Sequence, residues 1–126
     1  KGHRSQIKKE RNQNKDTRPS AKLSYARMSA QKAGFVLDAI RGKDVQTALG
    51  ILAYNPRYAS SVIEKLLKSA IANAENNNGM NPENLYVEEC FANKATTMKR
   101  IRPRARGMAY RIEKRMCHIT VILNER

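Results

Sequence analysis

Apolar residues in this chain follow two different periods. From Ser29 to Asn76 they recur every three or four positions, and from Leu85 onward every two. The first period is that of helices with one buried stripe. Ser29 is a suitable N-cap for SAQKAGFVLDAIRG, in which Ala33, Val36, Leu37 and Ile40 share a face. Arg41 and Gly42 end that helix, a cation near its C-terminus and then a residue that accepts left-handed backbone. Asp44 can cap a second helix carrying Val45, Ala48, Leu49 and Leu52, which stops before Asn55-Pro56. The longest stripe is Ala59, Val62, Ile63, Leu66, Leu67, Ala70, Ile71 and Ala74. It predicts a third helix from about Arg57 to Asn76, with Glu64, Lys65 and Lys68 on the solvated side. The run Asn76 to Gly79 breaks it.

The second period predicts strands. LYVEECFAN sets Leu85, Val87, Glu89 and Phe91 against Tyr86, Glu88, Cys90 and Ala92. MCHITVILNE is rich in β-branched residues and places Cys117, Ile119, Val121 and Leu123 on one side. A shorter run, AKLSYARM, can supply a third strand. The expected fold class is α+β: three helices packed on a small antiparallel sheet. Leu85 to Leu123 forms one long hairpin, with Pro103 and Gly107 as turn formers and a tip near Ala105. In that register Cys90 faces roughly position 120 rather than Cys117. Each arm beyond the body runs about ten residues and projects about 30 to 35 Å. An isolated two-stranded ribbon is marginal in water, so the arm is expected to be mobile until a partner orders it.

Charge now changes the picture. The chain has 126 residues, the size of one domain, with 25 Lys and Arg against 11 Asp and Glu, for a net charge of +14. The excess is not spread evenly. Residues 1–27 hold nine cations and two acids, residues 28–93 six and seven, and residues 94–115 nine and one. A near-neutral body thus carries two cationic appendages, which argues for a polyanionic partner. No apolar run approaches the roughly 20 residues that span a bilayer, and the N-terminal KGHRSQIKKERNQNK lacks a signal-like apolar block. Two cysteines make no disulfide framework, so an intracellular protein with free thiols is expected.

Candidate chemistry is confined to the arm. Extended backbone would point Arg100, Arg102, Arg104 and Arg106 to one side, and the slimmer Ile101, Pro103, Ala105 and Gly107 to the other. A thin arm edged with arginine suits threading between phosphate backbones, because the guanidinium fork bridges phosphate oxygens and stacks on bases. His3 and His118 stand too far apart for a metal or catalytic site, and Glu88 and Glu89, as strand neighbours, should diverge. No phosphate-cradling glycine loop, Ser/His/Asp set or Cys/His set is apparent, so no enzyme and no cofactor is expected. An architectural β-ribbon DNA binder is a rival reading, since such proteins also insert basic arms. A peripheral membrane protein needs a basic amphipathic helix, whereas the longest stripe here is nearly neutral.

KATTMKRIRPRARGMAYRIEKRMCHITVIL resembles the signature of the universal large-subunit ribosomal protein number twenty-two, in its bacterial form. SAQKAGFVLDAIRGK, NPRYASSVIEKLLKSAIANAENN and the strand leading to FANK fit as well, so that the likeness covers about residues 20 to 124. The pattern differs at Ala95-Thr96-Thr97, where relatives read Gly-Pro-Thr, at Met108, where arginine is common, and at Met116-Cys117, where Thr-Ser is usual. Residues 1–19 fit nothing in that pattern and stand as a basic N-terminal extension; one domain is expected at residues 20–126, with a hairpin arm at about 94–115. The resemblance implies a cytoplasmic, structural constituent of the large ribosomal subunit that binds 23S ribosomal RNA and supports assembly. Lys94, Lys99, Arg100, Arg102, Arg104, Arg106, Arg111, Lys114 and Arg115 are then the RNA-facing cations. Arg104, Ala105, Arg106, Gly107, Met108 and Ala109 are the tip that lines the nascent-peptide exit tunnel. The implied partners are that RNA, neighbouring large-subunit proteins and the nascent polypeptide, with no membrane and no homo-oligomer.

Overall fold

The computed structural model describes residues 3–13, 15 and 17–126. In chain order its elements are α1 (His3–Gln13), β1 (Ser20–Ala26), α2 (Ala30–Ile40), α3 (Val45–Tyr54), α4 (Tyr58–Asn78), β2 (Leu85–Lys94), β3 (Met98–Pro103), β4 (Ala109–Lys114) and β5 (Cys117–Glu125). Short 3-10 turns occupy Pro82–Asn84 and Ala105–Gly107. The α+β class is as expected.

Three of the helices fall where the apolar stripes put them. The Ser29 hydroxyl accepts the Lys32 amide at 3.3 Å and starts α2. Gly79, at φ 62°, ends α4 in left-handed backbone. Asp44 stands at the N-cap of α3, but its side chain makes no capping bond. Its carboxylate meets Arg126 at 3.3 Å instead. The helix that periodicity did not announce is α1, which has no buried residue and a cationic surface.

β5 is the central strand of a three-stranded antiparallel sheet ordered β1-β5-β2. α2 and α4 lie against this sheet and α3 packs on both. Leu37, Ile40, Leu52, Ile63 and Leu67 from the helices meet Leu85, Val87, Ile119, Val121 and Leu123 from the strands, all fully buried. Burying each such side chain contributes about 1.5 to 3 kcal/mol. The free edge of β2 is partly taken by the α2–α3 loop, where Gly42 donates to Val87 O and Val87 donates to Lys43 O, both at 2.9 Å.

Strict alternation fails within β2. Its register with β5 shifts between Val87 and Glu89. A bulge inserts one extra residue and reverses the phase that follows. Cys90 therefore joins Leu85 and Val87 in the core, while Phe91 turns outward. The same bulge brings Glu88 and Glu89 to one partner, Arg18, at 2.9 and 3.5 Å, so these two carboxylates converge where plain strand geometry separates them. Cys90 lies opposite Val121 and Cys117 opposite Lys94, and both thiols are free and buried. Upstream, the carbonyl of Thr17 accepts from Asn78 Nδ2 at 3.0 Å and that of Pro19 from the Leu123 amide at 2.9 Å, which ties the segment after α1 to the body.

Candidate nucleic-acid interface

The expected single hairpin is two ladders. β2 pairs with β5 as far as Lys94↔Cys117, and pairing resumes between β3 and β4 at Met98↔Lys114. Three residues, Ala95, Thr96 and Thr97, thus oppose two, Arg115 and Met116. One backbone bond, Ala95 N–H to Met116 O at 3.0 Å, spans the gap. The bulge after Val87 and the odd residue here each shift the centre of pairing by half a position, so the tip is centred on Arg106 rather than Ala105. Each strand of the ribbon has six residues. At roughly 3.3 Å per residue the ribbon is about 20 Å long, shorter than an uninterrupted hairpin would be.

Residues directly opposite one another in an antiparallel pair share a face. Arg100 pairs with Ile112, Arg102 with Tyr110 and Met98 with Lys114, which puts Arg100, Arg102 and Lys114 on one face. Lys99 pairs with Glu113 and Ile101 with Arg111, which puts Lys99 and Arg111 on the other. The side expected to be slim and uncharged is therefore cationic too, because Lys99 lies on it and the returning strand adds Arg111.

The alternation of arginines ends at the tip. Arg104 is still extended, at φ −125° and ψ 174°, but Arg106 is left-handed, at φ 64°, followed by Gly107 at φ 69°. The turn uses two successive positive φ values, which glycine accepts freely and arginine only at a cost. The Arg104 amide closes it on Met108 O at 2.8 Å. Every residue from Lys99 to Arg111 is exposed, Met108 and Tyr110 by more than half and Ile101 by 71%.

All nine cations named from the sequence are exposed. Among the described residues only Arg115 of these forms an ion pair, with Glu113 at 3.3 Å. Arg115 also accepts a hydrogen bond at its carbonyl from Arg27 Nη1 at 2.9 Å. His118 takes a structural part: its Nδ1 accepts the Tyr25 amide at 3.0 Å, and the two rings meet edge-on at 4.7 Å. Tyr25 itself is left-handed, at φ 57°. Among the described residues no group of three His, Cys, Asp or Glu could hold a metal ion.

A groove at the root of the arm went unnoticed in the sequence. It encloses about 760 Å³ between the N-terminal ends of α2 and α4 and strand β4, and Arg27, Lys32, Phe35, Arg57, Tyr58 and Arg115 line it. The Arg57 guanidinium stands over the Phe35 ring at 5.7 Å. Phe35 was legible in one respect: it lies off the apolar stripe of its own helix, where a large aromatic has no core to enter.

A small α+β body bearing a cationic ribbon has the build of a structural ribosomal protein. The chain belongs to the family of ribosomal protein L22p/L17e, whose model matches residues 21–124. It is 80% identical to the large ribosomal subunit protein uL22 of Lachnoclostridium phytofermentans over 99% of this chain and 98% of the relative. It is 78% identical to that of Lachnospira eligens over the same shares, and 72% identical to that of Agathobacter rectalis over 100% and 98%. These alignments take in the N-terminal segment as well as the body. Its role is that of a non-enzymatic structural component of the ribosome. No described helix is long and apolar enough to cross a membrane.

Proposed function

We infer that the arm binds 23S ribosomal RNA and that its tip, Arg104 to Ala109, lines the nascent-peptide exit tunnel. One observation carries most of this reading: cations project from both faces of a thin ribbon and find almost no carboxylate of their own. Alone, such a ribbon repels itself; between two phosphate backbones each face meets its own strand. Arg100, Arg102 and Lys114 address one backbone, Lys99 and Arg111 the other, and Lys94 and Arg115 contact RNA at the root. Recognition of this kind reads phosphate position and RNA shape rather than base sequence. At the tip, Ala105 between Arg104 and Arg106, and Gly107, Met108 and Ala109 after them, are small or uncharged, which suits a wall that a polypeptide slides past. Residues 1–19 act as a basic extension of a single domain at residues 20–126, and α1 adds phosphate contacts. Neighbouring large-subunit proteins complete the surroundings of the body in the bacterial cytoplasm.

Sucrose-gradient sedimentation of a lysate after a high-salt wash tests the RNA reading. Co-migration with the large subunit is expected, because an arm enclosed by folded RNA is not washed off. Recovery in the free fraction or with the nucleoid would reject it in favour of an architectural DNA binder. For the tip, Met108→Cys in assembled ribosomes should crosslink to a stalled nascent chain carrying its own cysteine. Absence of that product across a series of cysteine positions along the nascent chain would remove the tunnel assignment while leaving RNA binding intact.

A further inference from the structure

The arm carries the densest run of cations, but the groove at its root belongs to the body and has a different composition. Phe35 and Tyr58 are 56% and 69% exposed on facing helices, although large apolar side chains are usually drawn inward. Four cations, Arg27, Lys32, Arg57 and Arg115, surround the two rings. One carboxylate, that of Glu113, also lines the groove, and Arg115 already engages it at 3.3 Å. The remaining charge is positive around an aromatic floor, and the volume of about 760 Å³ lies within the usual span of small-ligand pockets.

We propose that this groove holds an unpaired nucleotide of RNA, its base against Phe35 and Tyr58 and its phosphates on Arg27, Lys32 and Arg57. Every base offers a π-face, so an aromatic floor needs no particular sequence, and a guanidinium beside the ring adds a second stacking plane. The combination distinguishes this site from the ribbon, which presents charge with a single aromatic, Tyr110. A protein helix would require a continuous apolar stripe, and the groove offers two separate rings within a cationic rim. The assignment rests on the RNA-binding reading above and adds a body contact of another kind, in which stacking joins charge in the holding. A smaller recess adjoins it and is lined by Lys94 and Thr97 together with Ser29 and Arg115, so a strand leaving the groove runs directly onto the arm.

Titration of the full-length chain against a 23S ribosomal RNA transcript at several salt concentrations separates the two contacts. Phe35→Ala combined with Tyr58→Ala should weaken binding on the order of five- to a hundredfold, the worth of one stacked base. The slope of log affinity against log salt should not change, because no counterion is displaced by a ring. Phe35→Tyr should bind as the parent does, and Arg57→Ala should lower affinity and reduce the slope by about one unit. Both rings are more than half exposed, so a thermal melt should show the double variant folded. Parent-like affinity in the double variant, with Arg102→Ala still impaired, would overturn the groove assignment and leave the arm's role standing. Failure of the parent chain to bind the transcript would instead remove the RNA reading on which the assignment rests.

Discussion

Leu37 has no exposed surface, and its carbonyl accepts the Cys90 thiol at 3.4 Å where α2 meets β2. Leu37→Ala should cost about 2 to 5 kcal/mol, the sum of lost transfer free energy and the cavity left behind. Chemical denaturation with an unchanged m-value would show it; a loss under 1 kcal/mol would mean the site collapses freely. Cys90 and Cys117 also report on the interior. Burial raises both thiol pKa values, and the nearby Arg41 charge only partly opposes this at Cys90. A thiol whose folded pKa is raised supports folding fully below its ordinary value of about 9, and that support fades as pH rises further and the unfolded chain ionises first. Stability should thus fall above pH 9, and Cys90→Ala with Cys117→Ala should flatten that fall. On the arm, Arg102→Ala should weaken RNA binding and reduce the salt slope by about one unit. An unchanged slope would mean that Arg102 faces no phosphate.

Among elements, the β3–β4 ribbon contributes no residue to the buried core. Replacing residues 98–114 with a two-residue Asn-Gly turn should leave a cooperative melt close to that of the parent, while RNA affinity falls steeply. Loss of cooperativity would mean that the arm supports the fold. Where one apolar stripe faced one core, the sequence was a good guide: α2, α3 and α4 begin and end within two residues of their expected bounds. It guided less well where geometry depends on an extra residue. Neither the bulge after Val87 nor the three-against-two gap at Ala95 changes composition, so alternation alone predicts straight strands through both. The nine arm cations were legible because they cluster in sequence. The groove was not, since Arg27, Phe35, Arg57 and Arg115 are brought together only by packing. α1 has no apolar stripe to reveal it, and an isolated helix of 11 residues draws little stability from its own hydrogen bonds.

At the scale of the whole molecule, the net charge of +14 resides outside a body that is close to neutral. The body folds without confronting that charge, and the arm and N-terminal segment carry the repulsion. Raising salt should therefore steady the free protein slightly by screening, while it weakens RNA binding. Opposite signs in these two measurements would identify the appendages as the source of both effects.

The gap at the root of the ribbon gives the molecule a mechanical property. Among the described residues one backbone bond, from Ala95 to Met116, crosses it, between the β2–β5 ladder that ends at Lys94↔Cys117 and the β3–β4 ladder that begins at Met98↔Lys114. With about 20 Å of ribbon beyond this joint, a rocking motion of about ten degrees sweeps the tip through about 3 to 4 Å. Rotation there leaves both ladders intact, so the lever can be re-aimed at little cost. The body can settle first at one address, and the far end can find its own by leverage.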